Sequence, residues 1–182
     1  MNTSTLRNTR RILVLILMPL LVFASTSCKC SKFQAQAVKP FDSKKYLGTW
    51  YEIARFDFKY ERDLKNVTAQ YSEKKDGKIK VVNKGYDTKN REWKSRTAKA
   101  KFAKSENQAA LKVSFFGSFY SEYNVVMLSE EYQTALVFGK STKYMWILSR
   151  KKTIDEKTKQ EYLSFAKSNG FPIENLVWTV QE

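Results

Sequence analysis

Between Thr49 and Arg150 the chain is a succession of eight short segments in which apolar and polar residues alternate, each separated from the next by a turn and none by a helix. Alternation with period two marks a strand with one buried face, and strands joined by short turns run antiparallel. Trp50, Glu52, Ala54 and Phe56 alternate with Tyr51, Ile53 and Arg55, and after a charged loop Val67, Ala69 and Tyr71 share one face. Lys75-Asp76-Gly77 supplies a hairpin turn, since Asp-Gly readily adopts the positive φ that tight turns demand. Ile79, Val81 and Asn83 return from it; Ala98, Ala100 and Phe102 follow, then Leu111, Val113 and Phe115, then Tyr123, Val125 and Met127. A segment from Thr134 to Gly139 and another from Lys143 to Arg150, with Tyr144, Trp146 and Leu148 on one face, complete the series. Eight antiparallel strands without a crossover leave two open edges, and closure removes both. The expected fold is therefore all-β, an eight-stranded antiparallel up-and-down barrel, whose interior at this size takes side chains or one small ligand.

Only after Arg150 does the period change. Thr153 with Glu156 reads as a capping box opening a helix that runs to about Ser168, with Tyr162, Phe165 and Ala166 as its apolar stripe and Gly170 and Pro172 as its stop. With no other long helix to bundle with, it is expected to pack outside the barrel. Leu176, Trp178 and Val180 alternate once more as a short final strand.

The N-terminus bears on location. Arg7, Arg10 and Arg11 precede an apolar run from Ile12 to Ala24, followed by Ser25, Thr26 and Ser27, the layout of an export signal. The run is too short for a membrane span, which needs about 20 residues. A formal net charge of +15 invites a nucleic-acid partner. An exported chain rarely meets one, and no basic helix with base-reading residues follows, so the lysines are read as a solvated, membrane-facing surface. Cys28 and Cys30 are the only cysteines, and a spacing of one residue suits a disulfide poorly. Cys28 after Ser-Thr-Ser resembles the lipidated cysteine of bacterial lipoproteins, with Ser25 where that motif usually has an aliphatic residue. The division expected is a lipoprotein signal peptide over 1–27, a lipidated cysteine and tether over 28–40, and the barrel domain over 41–182.

At this point the chain resembles the lipocalins. Gly48-Thr49-Trp50 is similar to the family's first signature, and Arg150, closing Trp146-Ile147-Leu148-Ser149-Arg150, to its third; the second is reduced to Glu130-Glu131-Tyr132. Tyr51 to Phe56, Asn83-Lys84-Gly85-Tyr86, Leu111 to Gly117 and Tyr123-Asn124-Val125-Val126 resemble the bacterial outer-membrane lipoprotein lipocalins, whose animal relative is apolipoprotein D. The resemblance implies that Gly48, Trp50 and Arg150 are structural and meet at the barrel floor. It places the loops Asp57–Lys65, Tyr86–Arg91, Gly117–Phe119 and Gly139–Thr142 at an open mouth with a rim of mixed charge.

The expected ligand-lining set is Ala54, Phe56, Ala69, Tyr71, Val81, Asn83, Arg96, Ala98, Ala100, Val113, Phe115, Tyr123, Val125 and Trp146. Alanines on the inner face leave room for a ligand. Lys94 and Arg96 share the inward parity and are placed to meet an anionic headgroup. The implied function is binding of fatty acids or lysophospholipids for envelope maintenance under stress, in a protein held in the outer membrane through acylated Cys28. Nucleic acid is not an expected partner, and a homodimer remains compatible with the sequence. Alternatives are an enzyme acting on a bound lipid and a carrier of haem or a bilin. The chain contains no histidine, so it has neither a Ser-His-Asp triad nor an imidazole metal site, and no cofactor or metal is expected. Glu52, with inward parity near the floor, is expected to be hydrogen-bonded in the core.

Overall fold

The computed structural model describes Phe33 and residues 35–182. The signal peptide, Cys28 and Cys30 lie outside the described residues. Nine strands form one sheet: β1 (Gly48–Phe56), β2 (Leu64–Glu73), β3 (Ile79–Asp87), β4 (Glu92–Phe102), β5 (Ala110–Phe116), β6 (Phe119–Leu128), β7 (Thr134–Phe138), β8 (Met145–Ser149) and β9 (Leu176–Trp178). A four-residue helix α1 (Ser43–Tyr46) precedes the first strand, and α2 (Glu156–Ser168) follows the eighth. Each strand from β2 to β7 pairs antiparallel with its successor, and β1 pairs with both β8 and β2, so eight strands close into a barrel and β9, paired with β1, lies outside.

β1 has a divided life. Its first half pairs with β2, from Gly48↔Tyr71 to Tyr51↔Thr68, whereas its second half pairs with β9, from Ala54↔Trp178 to Phe56↔Leu176. Between the halves lies a β-bulge: on β8, Glu52 pairs with Leu148 and Ala54 with the adjacent Ile147. One extra residue on a strand reverses the facing of everything beyond it. Trp50 and Glu52 therefore point inward as alternation requires, but Ala54 and Phe56 turn outward and Arg55 turns in. Phe56 stacks on Phe171 with centroids 6.2 Å apart, and Ile53, Ala54 and Phe56 share the outer core with Tyr162 and Ala166 of α2. The expectation that Ala54 and Phe56 line the interior is corrected accordingly.

The helix is seated by its own polar ends. Its N-cap is Asp155, not Thr153: Asp155 Oδ1 accepts from the Thr158 amide at 2.9 Å, while the Thr153 carbonyl accepts from Ser149 Oγ at 3.0 Å. An Asp at this position also places negative charge at the positive end of the helix dipole. Tyr162 and Thr134 share a hydroxyl hydrogen bond of 2.9 Å that ties the helix to β7.

Phe33 and residues 35–40 are docked on the domain rather than forming a free tether. Phe33 packs edge-on to Phe138 at 5.1 Å, the Ala35 amide donates to Asn169 Oδ1 at 3.0 Å, and the Val38 amide donates to the Val125 carbonyl at 2.9 Å. Each apolar residue takes a separate seat along the wall, which is why no helical or strand period betrays the contact.

The floor is built around Trp50, which is fully buried. The Arg150 guanidinium lies 3.9 Å from its ring centroid. That same guanidinium donates to the carbonyls of Thr49 (2.8 Å), Lys45 (2.9 Å), Leu47 (2.8 Å) and Tyr132 (3.3 Å), gathering α1, β1 and the β6–β7 corner. Trp50 Nε1 donates to the Tyr46 carbonyl at 2.9 Å. Gly48 has a φ of 96°, and a Cβ there would stand 3.3 Å from Arg150 Nη1, so both the backbone turn and the arginine's path favour glycine. At the corner, Tyr132 performs the closing: its hydroxyl accepts from the Asp42 amide at 2.8 Å.

Candidate functional site

Above the floor the interior divides into an apolar lower part and a polar upper part. In the lower part Trp50 pairs with Ala69, Tyr71 with Val81, Val81 with Ala98, and Ala100 with Val113, so these side chains share the inner face. Tyr46 packs at a tilt against Trp50 at 4.8 Å and meets Tyr71 edge-on at 5.3 Å. Tyr123 joins them: its hydroxyl lies 2.8 Å from that of Tyr46 and 2.8 Å from that of Tyr71. Burial pushes all three phenols above the ordinary tyrosine range, so they act as neutral hydrogen-bonding groups.

Removing the middle hydroxyl strands two buried ones. Tyr123→Phe should cost about 1–3 kcal/mol, seen as a lower urea midpoint with an unchanged slope. An unaltered midpoint would show that the three hydroxyls do not act as a unit.

The upper part is governed by Arg55, only 2% exposed, which the bulge has turned into the barrel opposite Trp146. Its Nη1 donates to Glu52 Oε1 at 2.8 Å and to Thr179 Oγ1 at 3.0 Å, and its Nη2 to the Glu61 carbonyl at 2.5 Å. Glu52 is thus a hydrogen-bonded core carboxylate, also receiving Thr179 Oγ1 at 2.6 Å. Glu61 arrives from the loop between β1 and β2. Its carboxylate oxygen Oε2 accepts from Trp146 Nε1 at 3.2 Å and stands 3.9 Å from Arg55 Nε.

Two carboxyls thus compete for one guanidinium in a dry setting. Burial, then the neighbouring Glu52 carboxyl, pushes Glu61 up to about 8. Burial also raises Glu52, against the pull of Arg55.

The same loop covers the mouth. Phe58 meets Trp146 edge-on at 5.9 Å and Tyr144 at 6.2 Å, and the Tyr60 ring carries the Arg96 guanidinium 4.8 Å above it. Arg96 pairs with Asn83 and Lys94 with Gly85, so both have inward parity, near the rim. Both are exposed. Lys94 forms an ion pair with Asp87, and that contact with hydrogen bonds from Asn90 holds the Asp87 carboxyl well below the usual carboxylate range. Lys94 is therefore already engaged, whereas Arg96 rests on an aromatic face. Asn83 Oδ1 is buried without a hydrogen-bond partner among the described residues.

Of the expected lining residues, Ala69, Tyr71, Val81, Ala98, Ala100, Val113, Tyr123, Val125 and Trp146 gather in or against one interior cluster. Asn83 and Arg96 lie above it. Phe115 departs: a second bulge on β5 separates Val113↔Ser121 from Phe116↔Phe119, and Phe115 is 41% exposed at a splayed hairpin tip. Sequence reasoning missed Arg55 and Glu61. The available signal was Glu52 and Arg55 as an acid and a base three apart in an otherwise apolar strand, on opposite faces unless a bulge intervenes.

The comparisons with known proteins agree with this architecture. The model of the lipocalin-like domain matches residues 41–181. The chain belongs to the lipocalin family. As a lipocalin it is 51% identical over 144 residues to the outer membrane lipoprotein Blc of Escherichia coli (strain K12), covering 79% of this chain and 81% of that protein. It is 41% identical to the protein of the same name from Vibrio cholerae, covering 81% and 88%. Mouse apolipoprotein D is a more distant relative, 29% identical over 148 residues. Among solved structures, insecticyanin of the tobacco hornworm Manduca sexta superposes with a TM-score of 0.64 at 20% identity, covering 80% of this chain and 83% of that one. At that identity the likeness establishes the shared barrel and nothing finer.

Proposed function

We propose that this lipocalin binds single-chain lipid amphiphiles, fatty acids or lysophospholipids, and serves their storage or transport in the bacterial outer membrane, where acyl chains on Cys28 anchor it. The observation that carries the reading is the polarity gradient inside one closed barrel. Alanines, valines and aromatic rings line the depth, and a guanidinium, an indole N–H and an amide line the level below the loop. An amphiphile presents the same gradient along its length. The relatives named as outer membrane lipoproteins support the location, and the apolar run ending just before Cys28 supports the anchor.

Burying about ten methylenes contributes roughly 8 kcal/mol gross, against an association cost of at least about 4 kcal/mol; the remaining ~4 kcal/mol corresponds to a Kd near the millimolar range, so a longer chain and headgroup contacts must supply tighter binding. A haem-carrier reading finds no support in the inner tyrosines, since Tyr46, Tyr71 and Tyr123 are bonded to one another and held neutral by burial. The test is native mass spectrometry of gently extracted protein, with a co-purified acyl lipid as the expected result. Protein free of lipid on extraction, and without affinity for any long-chain amphiphile once delipidated, would overturn the proposal.

A further inference from the structure

The β1–β2 loop carries Asp57, Lys59, Arg62 and Asp63 outward and sends one ionisable side chain, Glu61, into the barrel. Arg55 does not need it for neutrality, because Glu52 already pairs with Nη1 at 2.8 Å. What Glu61 meets is a set of donors suited to an anion: Trp146 Nε1 at 3.2 Å and, at 3.9 Å, Arg55 Nε, a buried donor with no hydrogen-bond partner among the described residues. A site built for Glu61 would be expected to close that last bond. A planar or tetrahedral oxyanion that is not tethered to a loop backbone is free to take both donors.

We propose that Arg55 and Trp146 form a headgroup subsite for the carboxylate or phosphate of an amphiphile, and that Glu61 holds this place until the headgroup displaces it and the β1–β2 loop swings outward. The inference rests on the lipid-binding reading above and names the residues that select for charge within it. The exchange has a consequence for protons. Around Glu61 stand the Glu52 carboxyl and Arg55 of β1, Trp146 of β8, and Tyr71 of β2, whose phenol feels the Glu61 charge; Thr179 of the C-terminal segment holds Glu52. In this company Glu61 stays protonated up to about pH 8, whereas in water it returns to its ordinary value of 4.5 and ionises. Between those limits, seating an anion releases one proton, and affinity rises by up to about tenfold per pH unit before levelling off.

The experiment uses the full chain carrying Cys28→Ser and titration calorimetry with dodecanoate, dodecyl phosphate and 1-dodecanol, which share a chain length and differ in headgroup. The expected result is tighter binding of at least one anion than of the alcohol, with the preferred anion identifying a carboxylate or a phosphate as the natural headgroup. Dodecanoate affinity should climb between pH 6 and pH 8 with release of about one proton, read from buffers of different ionisation enthalpy. Glu61→Ala should tighten dodecanoate by about tenfold at pH 7 and flatten the profile, and Arg55→Met should abolish the anion preference while dodecanol still binds. Equal binding of all three ligands, or a flat pH profile without proton release in the unsubstituted site, overturns the subsite while leaving the carrier reading intact. Failure to bind any of the three overturns both. Glu61→Ala and the pH profile decide the matter even where Arg55→Met does not fold.

Discussion

Trp50→Ala is expected to lower the unfolding free energy by about 3–5 kcal/mol, the range for removing a large aromatic from a well-packed interior. Three losses coincide at this position. The indole is fully buried against Tyr46; its Nε1 hydrogen bond to the Tyr46 carbonyl is lost, leaving that oxygen only the longer contact from Arg150 Nη2 at 3.2 Å; and the Arg150 guanidinium loses the ring face at 3.9 Å. The cation–π contribution alone is worth about 0.5–2 kcal/mol, according to how far the pair is desolvated. Arg150 would keep its carbonyl contacts and so would not be released, which confines the damage to the floor. Chemical denaturation should show the loss, and protein that still folds should bind amphiphile at the mouth with little change. A Trp50→Ala protein melting at the unsubstituted temperature would mean that the floor is not a structural keystone.

The barrel was legible because its information is repetitive. Alternation in β2 to β8 places Ala69, Tyr71, Val81, Ala98 and Tyr123 on one face, and the structure gathers them there. What escaped is what breaks the repeat. The bulge in β1 occupies Ile53-Ala54, with neither Gly nor Pro to mark it, so the strand still reads as regular alternation with Arg55 outside. The error is a single residue in register, yet it exchanges Ala54 and Phe56 for a guanidinium on the inner wall. Glu61 escaped for a different reason: it lies in a loop where charge is normal, and only the tertiary contact with Trp146 separates it from Asp57 or Asp63. Residues with a shared period can be found from sequence, whereas a lone polar side chain turned inward leaves no pattern.

That inward guanidinium makes Arg55→Met the second large effect. Breaking a buried ion pair by removing one partner typically costs about 3–5 kcal/mol, because the remaining charge has lost its compensation. Here the remaining groups are two carboxyls. Both Glu52 and Glu61 already have folded-state values raised by burial, and Glu52 is restrained from rising further chiefly by the attraction of Arg55. Without the arginine both should take up protons more readily. A carboxyl with a raised folded-state value contributes stability that is fully present below its unfolded value of 4.5 and lost as pH rises through the folded one. The deficit of Arg55→Met should therefore be smaller near pH 4.5, where the hydrogen bonds to Glu52, Thr179 and the Glu61 carbonyl are missing but the carboxyls are protonated, and should widen as pH rises through the raised value of Glu52 in the unsubstituted protein, Glu61 adding to it only from about pH 8. Urea denaturation at both ends of that window measures it. Adding Glu52→Gln to Arg55→Met should recover a substantial part of the loss at pH 8 and little at pH 4.5, a non-additivity expected of residues in direct contact. A deficit equal at both pH values would show that Arg55 stabilises the barrel by packing rather than by charge.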